Sequence, residues 1–315
     1  MGDASLRIGT SGWSYPAGRG TWNGVFYPGA PGSRARGRGG FDELAFYADH
    51  FDTVEVNSTF YRVPTPETTA SWARRTPPGF EFSVKLFQKF THPAMFVEAT
   101  GGADASLHQA DVDTFKQALD PLASSHKLGA LLAQFPPSFT AVPEAFDYLG
   151  WLLGTFSDFD LAVELRHRSW SDRQEETLAL LGGHEAAWVH IDEPKFHFSI
   201  RQDFAPNIRA FSYMRLHGRN AEKWWRHDAA EDRYDYLYSA EELEPFVEAA
   251  STVRQLVKKL YLYLNNHFEA KAVANAVMLK QQLGQPVPGE YPASFVARYP
   301  TLRGIVRESS PWSLT

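Results

Sequence analysis

Apolar and polar positions along this chain fall into two rhythms, a period of two over short runs and a period near 3.6 between them. The short runs, rich in β-branched and aliphatic residues, predict eight strands: Leu6–Thr10, Thr53–Asn57, Glu81–Leu86, Ala130–Phe135, Leu161–Arg166, Ala187–Asp192, Ser212–His217 and Lys259–Asn265. Segments between them read as helices with recognisable ends. Asp42 to Phe51 sets Leu44, Tyr47, Ala48 and Phe51 on one face, and Thr65 caps a helix that starts on Pro66 and runs to about Arg75. Ser171 opens a segment closed by Gly182 and Gly183. Ser239 and Glu242 form a capping box, and Ala270 to Leu283 stops at Gly284 and Pro286. Such alternation implies parallel strands joined by crossover helices. Eight units predict an α/β chain folded as one (β/α)8 TIM-like barrel domain over residues 1–315. A doubly wound open sheet is the alternative that the same alternation allows.

Within a strand, alternate residues share a face. One set is polar in six of the runs: Thr53, Glu55 and Asn57; Ser83 and Lys85; Gln134; Glu164 and Arg166; His190 and Asp192; Arg215 and His217. The intervening residues, such as Val54, Val56, Val163, Val189, Ile191, Met214 and Leu216, suit contact with surrounding helices. The polar sets therefore point inward, and they gather towards the same end of every strand, which favours the barrel over the open sheet. Charges placed there cost several kcal/mol unless paired or solvated, and barrel active sites sit at this C-terminal mouth. The same groups also suit a structural ion network, for instance Glu164 with Arg166 or Glu55 with Lys85. His190, deeper than Asp192, reads as a core histidine. Trp13 and Tyr15, just beyond the first strand, suit a stacking platform or ordinary packing.

Three stretches interrupt the pattern after strand ends: Gly18 to Gly40 with its Arg34–Arg38 run, Thr91 to Ala110, and Glu193 to Phe211. In a barrel they would lie over the mouth as irregular loops. The Pro- and Tyr-rich tail, 285–315, is expected to pack on the barrel.

Composition narrows the chemistry. The absence of cysteine excludes disulfides, thiolate metal ligands and cysteine nucleophiles. No apolar run approaches the roughly 20 residues of a membrane span, and the charged start is unlike a signal peptide, so a cytoplasmic protein without membrane attachment is expected. A net charge of −6 disfavours a broad nucleic-acid footprint. There is no P-loop, no G-x-G-x-x-G after a strand and no G-x-S-x-G, so no nucleotide cofactor is indicated.

Several of these residues fall in recognisable motifs. Gly9-Thr10-Ser11-Gly12-Trp13-Ser14-Tyr15 is followed by Phe51-Asp-Thr-Val-Glu55-Val-Asn57-Ser-Thr-Phe-Tyr61, then Phe82-Ser-Val-Lys85 and Thr91-His92. Gln134-Phe-Pro-Pro, Val163-Glu164-Leu-Arg166, Tyr213-Met-Arg215-Leu-His217-Gly218 and Asn265-Asn266-His267 leading to Ala274-Asn275-Ala276 complete the series. In this order, over essentially the whole chain, they resemble the YecE-like family, also called domain of unknown function 72. The resemblance implies a TIM-like barrel and no assigned activity. The matched polar positions are Glu55, Asn57, Lys85, His92, Gln134, Glu164, Arg166, Arg215, His217, Asn265 and Asn266. The Arg34–Arg38 loop departs from the family and inherits no role.

The reading that these residues support is an enzyme acting on a small anionic or polyhydroxylated metabolite by acid–base chemistry. Its catalytic candidates are Glu55, Lys85, Glu164, Asp192 and His217: a glutamate as base, His217 as proton carrier, Lys85 and Arg215 as anion clamps. Trp13, Asn57, Tyr61, His92, Gln134, Arg166, Arg215, Asn265 and Asn266 are the candidate ligand contacts. Three acids (Glu55, Glu164, Asp192) against three cations (Lys85, Arg166, Arg215) leave the mouth near neutral before any metal enters. A metal-dependent phosphoesterase or isomerase using Glu164, Asp192 and His217 is thereby disfavoured, and no residue is assigned to a metal. A retaining-glycosidase pair is weaker still, and a Schiff base at Lys85 is conceivable without being favoured over an ion pair. From a different class, a non-catalytic ligand- or nucleic-acid-binding module would use the Arg34–Arg38 loop and stack bases on Trp13, Trp22, Trp224 and Trp225. The oligomeric state is not legible.

Overall fold

A computed structural model describes residues 4–29, 40–225 and 230–309. Its strands are β1 (Ser5–Thr10), β2 (Thr53–Val56), β3 (Glu81–Lys85), β4 (Leu128–Gln134), β5 (Leu161–Glu164), β6 (Ala187–Trp188), β7 (His190–Asp192), β8 (Phe211–Leu216), β9 (Lys259–Leu264), β10 (Glu290–Pro292) and β11 (Arg307–Ser309). The eight runs read from the sequence thus become β1 to β9, the sixth being divided at Val189 into β6 and β7. All ladders are parallel: one sheet runs β2-β3-β4-β5-β6, a second runs β1-β9-β8-β7, and β10 pairs with β11. The α/β architecture with parallel sheets agrees with the sequence pattern. The two larger sheets meet where the chain passes through Val189 and where Ser11 bridges Glu55. No continuous ladder joins β1 to β2 among the described residues.

Their inner faces are joined by side chains. Tyr263 of β9 reaches Thr53 Oγ1 at 2.6 Å and Ser83 Oγ at 3.0 Å, and Tyr261 donates to Glu81 Oε2 at 2.7 Å. Tyr213 of β8 donates to Glu55 of β2 at 2.7 Å. At the N-terminal end of the strands, Glu81 is closed off by Arg7 at 2.9 Å and Lys259 at 2.9 Å. The interior is therefore a stack of tyrosines between two ionic layers, and the layer at the C-terminal end is the one that opens outward. Gly9 permits the close passage of β1 over β2, because a Cβ there would stand 2.4 Å from the Thr53 carbonyl oxygen.

The helices form where their ends are chemically specified. Asp42 caps Glu43–Ala48 by accepting from the Ala45 N–H at 3.0 Å, and Thr65 caps Pro66–Arg74 through Thr68. Ser239 and Glu242 make the expected capping box on Ala240–Val253, and Lys271–Gln282 ends at Leu283. Two further helices, Gln109–Ser124 and Pro143–Thr155, bury Phe115, Leu119 and Leu122, and Leu149, Leu152 and Leu153. The stretch after β3 is not all loop, since Pro93–Ala99 is helical, whereas Glu193 to Phe198 has neither helix nor strand. In the tail, Tyr291 and Phe295 are buried beside Phe26, and His50 meets the Glu290 carbonyl at 3.0 Å. No helix among the described residues is long and apolar enough to cross a membrane. The Arg34–Arg38 run and His227 lie outside the described residues.

Candidate functional site

Strand alternation carries polar side chains to the C-terminal ends of the sheets, and there they converge. Arg215, buried on β8, grips Glu55 of β2 with two nitrogens, Nε to Oε2 at 2.9 Å and Nη2 to Oε1 at 2.6 Å, and donates from Nη1 to Glu164 of β5. Arg166, two residues past Glu164, donates from Nε to Glu164 Oε1 at 2.7 Å and pairs with Glu193 at 3.3 Å. The bidentate grip fixes direction as well as charge. Above this floor lies a cavity of about 280 Å³, bounded by Tyr15, Asn57, Lys85, Gln134, Arg166, Arg215, Asn265 and His267, with Tyr61, Glu231 and Tyr234 at its rim.

The two buried glutamates are fixed anions. Burial alone would raise both, but Arg215 overrides it for Glu55, and Arg215 with Arg166 holds Glu164 well below the usual carboxylate range. An effective general base has a pKa near the working pH, so neither carboxylate is tuned for that task. His217 is buried, with Nε2 3.3 Å from Arg166 Nη2 and Nδ1 2.9 Å from Asn265 Nδ2. Burial and the two guanidinium groups push it down to about 3, so the imidazole is neutral and belongs to the floor rather than the cavity wall.

Lys85 differs from every other charge here. Its Nζ donates to Gln134 Oε1 at 2.5 Å and rests 4.0 Å from the Phe60 ring centre. No carboxylate of the described residues forms an ion pair with it. Burial, then Arg215 and Arg166, lower this amine to about 7, with Glu164 and Glu55 acting only in part against them. The expected Glu55–Lys85 pair is therefore not formed, because Arg215 occupies both Glu55 oxygens.

Of the ligand-contact candidates, Asn57, Tyr61, Gln134, Arg166, Arg215 and Asn265 line the cavity. His92 stands behind it against Phe60 and is lowered to about 3 by burial, Lys85 and Arg166. Trp13 packs edge-on against Trp72 and lines an adjoining groove of about 270 Å³ that shares Tyr15, Asn57 and Tyr61. Asn266 is structural: its Nδ2 donates to the Tyr236 carbonyl and to Asn275 Oδ1, each at 2.8 Å.

Asp192 is not brought to the cavity. It is held by Arg219 at 2.9 and 3.0 Å and by the Tyr238 hydroxyl at 2.6 Å, while Trp188 and His190 face residues Gln174 and Leu178 of the neighbouring helix. This strand is turned over relative to the expected phase, and Glu193 supplies the inward carboxylate instead. Alternation of His190 and Asp192 with Val189 and Ile191 points the polar pair inward. Here the polar face is instead satisfied outside the cavity, Asp192 by Arg219 and Tyr238, and the apolar run Ala186-Ala187-Trp188-Val189 before it carries no polar residue to correct the phase. The set Glu164, Asp192 and His217 is thereby split, and no group of three or more His, Asp or Glu among the described residues is arranged to hold a metal ion. Glu231, Tyr234 and His267 join the site without having been singled out as contacts, and Tyr15, the ring expected beside Trp13 as a stacking platform or packing group, lines the cavity too. Tyr15 and His267 stack with ring centres 4.4 Å apart; Glu231 and Tyr234 sit on a short 3-10 turn where no periodicity marks them. Of the four tryptophans considered for base stacking, Trp22 and Trp224 are buried, Trp13 is half-buried and Trp225 is 55% exposed.

A larger cavity of about 590 Å³ lies between the stretch from Lys89 to Leu107 and the helix bearing Tyr148 and Trp151. Its walls are mostly apolar and its Lys89 is paired with Asp111 at 2.9 Å. Volume alone does not make it the chemical site.

Comparison with known proteins gives one consistent relationship. The family model described as "Protein of unknown function DUF72" matches residues 7–294. The UPF0759 protein YunF of Bacillus subtilis is 30% identical over 254 residues, covering 76% of this chain and 86% of YunF. The UPF0759 protein YecE of Escherichia coli K12 is 32% identical over 147 residues, about half of each chain. Among solved structures, the DUF72 family protein TM1631 of Thermotoga maritima superposes with a TM-score of 0.72 at 33% identity, over 89% of this chain and all of its own. The DUF72 family protein EF0366 of Enterococcus faecalis gives 0.74 at 25% identity, over 89% and 96%.

Proposed function

The chain belongs to the DUF72 family of proteins of unknown function, and from that premise we propose that it is an enzyme acting on a small anionic or polyhydroxylated metabolite in the cavity beside Lys85, Arg166 and Arg215. The fold reading that accompanies this proposal is a single (β/α)8 barrel: the two sheets are read as one ring, with the cavity at its C-terminal mouth. The carrying observation is the distribution of charge. Three carboxylates, Glu55, Glu164 and Glu193, are all taken up by Arg215 and Arg166, which leaves Lys85 as the cavity's one cationic group with no acidic partner among the described residues. An anion entering the cavity would supply that partner. The Asn57 and Asn265 amides and the Tyr15, Tyr61 and Tyr234 rings suit hydroxyl groups on the remainder of the molecule.

In this reading Lys85 takes the role of base that the sequence assigned to a glutamate, since an amine lowered to about 7 accepts and returns a proton near neutral pH. Arg215 sets the floor, and His217 serves as a neutral acceptor for Arg166. A nucleic-acid ligand is the weaker proposal, because three of the four tryptophans that would stack bases are wholly or partly packed away.

The test is thermal shift against sulfate, phosphorylated and carboxylated metabolites and uncharged sugars, on the natural protein and on Lys85→Met and Arg166→Gln. Anionic compounds should raise the melting temperature of the natural protein and lose most of that effect in Lys85→Met. Equal shifts in both, or shifts only with uncharged compounds, would overturn the reading.

A further inference from the structure

Resting on the anion-cavity reading above, we propose that Lys85 is a covalent nucleophile, its Nζ forming an imine with an aldehyde or ketone that also carries a phosphate or carboxylate. The first observation is the poverty of its contacts. Lys127, which is buried, has a fully satisfied ammonium: its Nζ donates to the Ala73 carbonyl at 2.7 Å, the Thr76 carbonyl at 2.6 Å and Thr76 Oγ1 at 2.9 Å, whereas Lys280, away from the cavity, meets only the Phe51 ring among the described residues. Lys89, Lys116, Lys259 and Lys271 are each paired with a carboxylate. Lys85 has one amide oxygen and an aromatic face. An ammonium offers three donors, whereas a neutral amine needs fewer acceptors and keeps a lone pair to present to the cavity.

The second observation is position. Lys85 is the last residue of β3, so its side chain is carried by a strand rather than a loop. Thr59 pins the strand end by donating to the Lys85 carbonyl at 2.6 Å. Arg166 lines the same cavity from just past the end of β5, the next strand but one along the sheet from β3. Both groups face the same cavity, so an anionic carbonyl compound drawn in by the Lys85 ammonium can, once Nζ gives up its proton, set its anionic group against Arg166 and its carbonyl towards Nζ. Burial and the nearby guanidinium groups also lower the amine to about 7, so near neutral pH a large share of it is in the uncharged, nucleophilic state.

The step balances without an oxidant or reductant. The Nζ lone pair attacks the carbonyl carbon, a C–N bond forms, and the carbonyl π electrons move to oxygen. One N–H proton passes to that oxygen, giving a carbinolamine. The second N–H proton leaves with the hydroxyl group as water, and the C=N bond forms. Addition of water returns the amine and the carbonyl compound.

Reductive trapping tests this. The full-length protein is incubated at pH 7 with glyoxylate, pyruvate or glyceraldehyde 3-phosphate, and with uncharged glyceraldehyde, in the presence of cyanoborohydride, followed by intact-mass and peptide mapping. The expected result is a single adduct on Lys85 with the anionic carbonyls, forming at least about tenfold faster than on surface lysines, which are almost fully protonated at this pH. Sulfate should slow it. Lys85→Arg, which keeps the charge but not the nucleophile, should abolish it while retaining the melting temperature; Lys85→Met serves if that variant fails to fold. Adducts spread over surface lysines, or unchanged in Lys85→Arg, would overturn the imine proposal. If the sulfate-induced thermal shift still depends on Lys85 in that event, the anion cavity stands and only the covalent step falls. If the shift is also independent of Lys85, both fall.

Discussion

Arg215 carries more of the site than any other residue, because one guanidinium satisfies two buried carboxylates from two different strands. Replacing it with methionine leaves Glu55 and Glu164 buried with their main counter-charge gone. Breaking a buried pair from one side costs about 3–5 kcal/mol, so Arg215→Met should lower the urea midpoint by that equivalent, measured by far-UV circular dichroism. A change under about 1 kcal/mol would mean that water or Arg166 already compensates the acids. Most of this cluster was legible from residue alternation alone. Glu55, Lys85, Glu164, Arg166 and Arg215 meet at the strand ends as their parity demands. Their pairing was not legible, because which acid takes which cation depends on distances across the interior. Hence Lys85, read as a clamp or as a partner of Glu55, emerges without a carboxylate.

At the level of elements, the strands appear within one or two residues of their sequence boundaries, since the runs are short and bounded by turn residues. The inverted strand around Val189 is instructive: the chain leaves one sheet and joins the other there, and an apolar stretch on both faces hides the turnover. Glu193 was missed because the polar alternation of His190 and Asp192 was read as the inward face. Tyr234 and Glu231 were missed for a different reason, since a short turn has no period to read. The junction between β1 and β2 makes an element-scale prediction. A Cβ on Gly9 would collide with the Thr53 carbonyl, which belongs to backbone and cannot rotate away. Gly9→Ala should therefore push β1 from β2 and cost about 1–3 kcal/mol, read as a lower melting temperature and faster amide exchange at Ser11. Retained stability would show that the two strands can separate freely, and the reading of the sheets as one ring would lose its support.

For the whole molecule, buried histidines govern the response between pH 7 and 5, and the carboxyls held low by their partners, Glu55, Glu81 and Glu164, add to the loss at lower pH. His50, His92, His190, His217 and His267 are all lowered, each with burial as the first cause, and four of them to about 3 or 4. Their folded pKa values lie below the unfolded value near 6.5, so the unfolded chain binds the extra protons. Stability is complete above about pH 6.5 and is lost as pH falls towards 4, by up to about 1.4 kcal/mol per pH unit for each histidine. Three carboxyls raised by burial, Glu43, Asp160 and Glu193, act in the opposite sense and soften the fall. Urea midpoints at pH 7, 6 and 5 should drop steeply over this range; a midpoint independent of pH would mean that these rings are solvated or already charged in the folded state.

Lys85 is thus an amine poised near neutral pH between its charged and uncharged forms, in a cavity proposed to receive an anion. Reductive methylation with 13C-formaldehyde followed by NMR titration reads it directly, with the Lys85 signal identified by its absence in Lys85→Arg. The expected resonance titrates near 7, far below the surface lysines, and moves to higher pH when sulfate is added. A Lys85 signal titrating near 10, or one indifferent to sulfate, would contradict it.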